Sequence, residues 1–160
     1  MTKLSIRLDD LRDPRIAQFM QDHLADMRRI SPPESVHALD LDALRRPEIR
    51  FWTAWQLPHG GADTVLAGTA ALKRLDEHHA ELKSMRTAAA LRGQGHARTL
   101  LRYVVEQARA LGVQRLSLET GSQDFFIPAR TLYQSEGFKP RGPFGGYGPD
   151  PNSCFFTRVL

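Results

Sequence analysis

Apolar and polar residues alternate over Leu4, Ile6 and Leu8, a period of two that predicts a first strand. Ile16, Phe19, Met20, Leu24 and Met27 then recur at helical spacing, so residues 14–29 are expected to form an amphipathic helix. Asp13 is its N-cap and Pro14 its first helical residue. Ser31-Pro32-Pro33-Glu34 ends it, and the stretch Ser35 to Arg46 reads as a loop and a short helix around Leu39 to Leu44. Ile49 to Leu57 and Thr64 to Leu75 are strands joined by the turn residues Pro58 to Asp63. A second turn near Asp76 to His79 leads to a strand over Ala80 to Thr87. The pattern then changes period. Ala97, Leu100, Leu101, Val104, Val105, Ala108 and Leu111 make one stripe, the buried face of a helix from Gly95 to Leu111 that Gly112 closes. Arg115 to Thr120 alternates again as a strand, Pro128 to Glu136 reads as a short helix, and two strands close the chain from Phe138 and from Ser153.

The order is β-α-α-β-β-β-α-β-α-β-β, with several strands in succession before helices alternate with them. That order predicts a mixed sheet rather than an all-parallel one. At 160 residues the chain suits one domain over 1–160. Its 41% hydrophobic and 25% charged residues are the balance of a globular protein. No apolar run reaches the roughly 20 residues of a membrane span, and the first residues lack the apolar core of a signal peptide. A cytoplasmic protein without a membrane partner is expected. The single Cys154 excludes an internal disulfide. The net charge of +4 would suit an anionic partner, but the basic residues are scattered and form no stripe, so nucleic acid is not expected as one.

The chemistry lies between the third strand of the meander and the long helix, in Arg92-Gly93-Gln94-Gly95-His96-Ala97. A helix N-terminus leaves backbone N–H groups without partners and carries partial positive charge, and small residues let a phosphate approach them. The loop has neither the pattern of a phosphate-binding NTPase nor that of a dinucleotide fold. By itself it reads equally as a plain strand-to-helix turn.

Two motifs in register narrow the reading. Arg92-x-x-Gly95-x-Ala97 resembles the pyrophosphate loop of the GNAT superfamily of N-acetyltransferases, Gln/Arg-x-x-Gly-x-Gly/Ala. Downstream, Ala129-x-x-Leu132-Tyr133-x-x-x-Gly137-Phe138 resembles the helix and turn near that superfamily's acyl thioester. The resemblance implies an α/β (α+β) fold: a GNAT-like mixed, centrally splayed sheet of about six or seven strands flanked by about four helices. It implies acetyl-CoA as co-substrate and direct attack by a primary amine in a ternary complex; no metal is expected, because His78-His79 lack further ligands. A homodimer would be in keeping. One position departs: many relatives carry an Asn seven residues before the tyrosine, where this chain has Phe126.

Carried over residue by residue, the resemblance assigns the pyrophosphate to the backbone N–H groups of Gln94, Gly95, His96, Ala97 and Arg98, beside Gly93. The Arg92 and Arg98 side chains either add charge-assisted contacts or are solvated surface. Met85 and Thr87 would pair with the pantetheine arm as a neighbouring strand would, the Met85 N–H also polarising the thioester carbonyl. Tyr133 is the candidate acid for the departing thiolate, its alternative being a core residue beside Leu132. Glu81 stands at the offset from Arg92 at which some histone-modifying members carry a general base; the competing reading is an exposed strand residue paired with Lys83 or a neighbour. Glu119, His78 and His79 are weaker candidates, the two histidines reading as exposed turn residues. The acceptor amine would meet Ser35, His37, Trp55 and Tyr147, with Trp52 and Phe144 nearby. Trp52 and Trp55 fall on opposite strand faces, so at most one of them can line a pocket. The rival function is a non-catalytic module that binds or senses acyl-CoA.

Overall fold

The structure is a computed structural model, and it describes residues 3–57 and 64–160. The turn read over Pro58 to Asp63 lies outside these residues. The described chain runs β1 (Leu4–Leu8), α1 (Pro14–Ile30), α2 (Leu41–Leu44), β2 (Ile49–Gln56), β3 (Val65–Arg74), β4 (His79–Thr87), α3 (His96–Ala110), β5 (Arg115–Gly121), α4 (Ile127–Ser135), β6 (Lys139–Arg141) and β7 (Ser153–Val159). The element order is the one read from the pattern, with ends shifted by a residue or two.

Local chemistry explains the boundaries. Asp13 is extended, and its carboxylate accepts the Arg15 N–H ahead of Pro14, which opens α1. Ser31 closes that helix by returning its N–H to the Met27 carbonyl, and Pro32 prevents continuation. The apolar stripe of α3 buries Leu100, Leu101, Val104, Val105 and Ala108.

The seven strands form one mixed sheet in the order β1-β2-β3-β4-β5-β7-β6. Of its neighbouring pairs only β4 and β5 run parallel. One face packs α3 and α4 through Trp52, Leu72, Leu82, Leu101, Leu116 and Phe138, and the other packs α1 and α2 through Ile16, Met20, Leu44, Phe51 and Trp55. Both tryptophans are therefore core, one on each face.

The parallel pair is the part that positions the site. Its ladder runs from His79↔Arg115 to Leu82↔Leu118. Beyond these rungs β4 continues to Thr87 and β5 to Gly121, with no further pairing between them among the described residues. The cause sits on the opposite edge of β4. Against β3, Ala71 pairs with Lys83 but Thr69 pairs with Arg86, so Ser84 and Met85 together oppose the single Ala70. Ser84 takes up the extra length in a left-handed conformation (φ 53°), and the Thr69 hydroxyl donates to its carbonyl at 2.9 Å. Such a bulge bends and twists its strand, here away from β5.

Candidate active site

Two cavities meet at the parting of β4 and β5. The larger, of about 530 Å³, lies between the end of β4, the loop before α3 and the start of α4. Gly93 and Gly95 in its wall have φ of 80° and 83°, a conformation that costs a residue with a Cβ about 1 kcal/mol or more. Gly95 is the N-cap of α3, and among the described residues no side chain caps the helix, so the first N–H groups, at His96, Ala97 and Arg98, face the cleft without an internal partner there. A Cβ at either glycine would meet nothing within 4 Å, so the space over the loop is open. The glycines are needed for their backbone angles rather than for clearance. An anionic group of the size of a pyrophosphate fits this corner on both counts: open room and unpaired N–H groups along a helix axis.

The side chains of the loop behave differently from its backbone. Arg92 is exposed, its guanidinium 5.9 Å from the Phe125 ring. Arg98 is bound to Glu136 and, at 3.0 Å, to Ser135; Arg102 joins the same carboxylate. Arg98 therefore braces α3 against α4, and its guanidinium is not held open for a ligand. Gln94 is exposed and lies off the cavity wall, while His96 is buried with Nε2 3.3 Å from Gln56 Oε1.

The smaller cavity, of about 120 Å³, lies on the α1 side of the parting. Ser35, His37 and Tyr147 line it, as the sequence reading expected, together with Glu81, Lys83, Ser84, Glu119 and Asn152. Trp55 does not. It is 2% exposed, packed with Ile16 and Met20, and covered by the guanidinium groups of Arg7 and Arg15 at 4.7 and 4.4 Å from its ring. It shares the α1 face of the sheet with the chamber, but it stands on β2, two strands from β4, where α1 buries it away from the parting.

Six residues line both cavities: His23, Met27, Met85, Phe126, Ala129 and Tyr133. Tyr133 is 6% exposed, and its ring packs edge-on to Phe138 at 5.8 Å. No described group hydrogen-bonds its hydroxyl. Burial first, and then the charge of Glu119, push its pKa well above that of an ordinary tyrosine. The Phe126 ring packs against Gly121, where a Cβ would come within 2.2 Å of it. The departure at Phe126 is thus matched by a glycine on β5.

Around the small cavity the ionisable groups are closely coupled. Glu81 is 3% exposed; its Oε2 accepts the Tyr147 hydroxyl and, at 3.1 Å, the Lys83 ammonium. It is paired with Lys83, as the competing reading had it, but it is buried inside the protein rather than exposed on the strand. Burial, then the charge of Glu81, raise the Tyr147 phenol far above its usual range. Burial also pushes the Glu119 carboxyl up to about 7, with Glu81 and Asp150 adding and Lys83 opposing. His23 of α1, facing Arg86, is held down to about 4 by burial and then by the Arg86 charge. Hydrogen bonds from Ser35 and from the Asn152 N–H keep Asp150 below the usual carboxylate range. His79 is not an exposed turn residue: it opens β4 with Nε2 2.7 Å from Ser117 Oγ. His78 is exposed.

His23, Asp150 and Asn152 escaped the sequence reading. A histidine on the apolar face of the first helix was the one visible signal, since Ile16, Met20 and His23 share that face.

Residues 16–138 match the acetyltransferase (GNAT) family. The chain is 48% identical to the uncharacterized N-acetyltransferase YsnE of Bacillus subtilis, over 98% of its own length and all of that protein. It is 33% identical to the IAA acetyltransferase of Azospirillum brasilense over the full length of both. In fold it is similar to a Bacillus subtilis acetyltransferase solved in complex with CoA, with a TM-score of 0.64 at 20% identity over 99% of each chain.

Proposed function

The chain belongs to the GNAT acetyltransferase family and is an acetyltransferase, and we propose that it transfers the acetyl group of acetyl-CoA to a primary amine by direct attack in a ternary complex. The observation that carries this reading is the meeting of the two cavities at Met85 and Tyr133. An open cleft with an anion-binding corner leads to a small acidic chamber, and Met85 and Tyr133 are among the six residues they share.

Acetyl-CoA brings an activated thioester carbonyl, and the chain supplies the rest. The N–H groups at the start of α3 hold the pyrophosphate, at His96, Ala97 and Arg98. Beyond Leu82 the inner edge of β4 has no strand beside it among the described residues, which leaves Met85 and Thr87 to hydrogen-bond an extended ligand as a strand would. A backbone N–H at Met85 can steady charge that develops on a carbonyl oxygen at the junction. Tyr133 keeps its proton at neutral pH because its pKa is raised, the state required of a donor to a leaving thiolate. Ser35, His37 and Tyr147 shape the chamber for the acceptor. A non-catalytic acyl-CoA sensor would need neither a proton donor at the junction nor a second chamber. The relative called IAA acetyltransferase makes IAA an acceptor to be tried beside simple amines.

Calorimetric titration with acetyl-CoA, with adenosine diphosphate as control, tests the reading. Binding near micromolar, about −8 kcal/mol, and much weaker binding of the control are expected. No heat and no thermal stabilisation at millimolar acetyl-CoA would overturn it.

A further inference from the structure

Acetyl transfer to an amine requires a group that takes a proton from nitrogen, and the small chamber and the groups bonded to its wall hold several candidates. Glu81 is poorly placed to do so, because its Oε2 already accepts from both Tyr147 and Lys83. Asp150 is engaged by the Ser35 hydroxyl at 2.6 Å and the Asn152 N–H at 2.8 Å, which leaves it a weak base. His23 is weakened in the same sense by burial and by Arg86. His37 meets the Tyr147 ring edge-on at 5.0 Å, on the chamber's wall.

Glu119 differs from all of these in position. It is the first residue of β5 past the last rung of the parallel ladder, Leu82↔Leu118. Leu118 points into the core under α3, so alternation turns Glu119 to the chamber side, where it lines the cavity. Its charge acts on Tyr133 across the parting. Resting on the acetyl-transfer reading above, we propose that Glu119 is the general base of the reaction and that Glu81 is a positioning residue that anchors Tyr147 and Lys83. The nitrogen lone pair forms the new C–N bond, and the C–S bond breaks with its electron pair on sulfur. The proton shed by nitrogen goes to Glu119, and the thiolate takes the Tyr133 proton. Glu119 then loses its proton to solvent, and Tyr133 regains one from it.

The groups that face Glu119 set its proton affinity together: Glu81 and Lys83 from β4, Tyr133 from α4, and Tyr147 and Asp150 from the segment before β7. His23 and His37 complete the wall from α1 and the loop after it. A carboxyl that titrates near the working pH accepts a proton yet remains substantially ionised beforehand, the condition for efficient base catalysis.

The test follows CoA thiol release with phenethylamine, with butylamine and with water alone, from pH 5.5 to 9. The neutral fraction of an amine rises tenfold per pH unit below its own pKa. For the parent, log kcat/KM against pH should therefore have a slope near 2 below about pH 7 and near 1 above it. In Glu119→Gln the slope should stay near 1 throughout, with the rate at pH 8 down by about 100-fold and acetyl-CoA affinity within about twofold. Glu81→Gln should keep the break. A break that survives in Glu119→Gln overturns the proposal, and its loss in His37→Asn would move the role to His37. Protein carrying 13C at its glutamate carboxyls gives a reading independent of turnover. One signal should titrate near 7 and vanish in Glu119→Gln; a Glu119 signal that titrates near 4 overturns the proposal even when no probe reacts. Failure of the parent to bind acetyl-CoA sinks the acetyl-transfer reading instead, which the calorimetry reports separately.

Discussion

The two cavities are built from different materials. The larger is a backbone construction: glycine angles, the open end of one helix and the unpaired edge of one strand. The smaller is a side-chain construction in which Glu81, Lys83, Tyr147, Glu119, Ser35 and Asp150 come from four separate stretches of chain. The difference teaches where tolerance to substitution resides. A backbone site depends on a few conformations and ignores most side chains. A side-chain site depends on every partner, because each buried charge left alone costs free energy.

The sharpest way to break the backbone site is Gly95→Glu, which sets an anion where the pyrophosphate is proposed to lie and forces a left-handed angle on a residue with a Cβ. Acetyl-CoA affinity should fall by more than about 100-fold, measured by calorimetry. Gly95→Ala separates charge from strain; the angle alone should cost about fivefold to tenfold. Unchanged binding in both would remove the loop from the site.

On the side-chain site, Glu81→Gln strands the Lys83 ammonium, whose side chain is 9% exposed. Loss of one partner of a buried pair should lower stability by about 3 kcal/mol, read from urea unfolding. Tyr133→Phe removes a proton donor without changing shape. Turnover should fall by about 30-fold, or about 2 kcal/mol, with acetyl-CoA affinity intact. Undiminished activity would make Tyr133 a packing residue of the main core.

Acid titration sharpens the comparison because two groups of the small chamber pull in opposite directions. His23 has a folded pKa of about 4, below its unfolded value, so its contribution is complete above about 6.5 and is lost as pH falls toward 4. Glu119 has a folded pKa of about 7, above its unfolded value, so its contribution is complete below about 4.5 and is lost as pH rises through 7. Between these limits the two offset each other. Glu119→Gln removes one side of the balance, and should lose about 2 kcal/mol more than the parent on acidification from pH 6.5 to 4.5. Parallel urea midpoints in parent and variant would refute the pairing. The smallest effect is expected at the exposed Arg92, where Arg92→Ala should weaken acetyl-CoA binding by no more than about threefold.

The same division accounts for what could be read before the structure was known. Helix and strand boundaries, the glycine loop and Tyr133 are local patterns, written in neighbouring residues. The acceptor chamber is not local: Ser35 meets Asp150 from 115 positions away, and Tyr147 meets Glu81 from 66. Trp55 was misplaced because alternation assigns it a face but cannot say that β2 lies two strands from the parting there, under α1. The roles of Glu81 and Glu119 turn on who else is buried beside them, and nothing short of packing supplies that.

The bulge at Ser84 and Met85 has a further consequence for how the protein survives without its ligand. A sheet ordinarily has two rims; this one has two more in its interior, where β4 and β5 part. Bare strand rims are templates for foreign strands and a common origin of aggregation. Here α1 and α4 roof the interior rims, since His23, Met27 and Ala129 stand over the parting. Their protection is therefore only as durable as the seating of those two helices, and warming that loosens α1 would uncover adhesive backbone at the molecule's centre before the sheet itself melts.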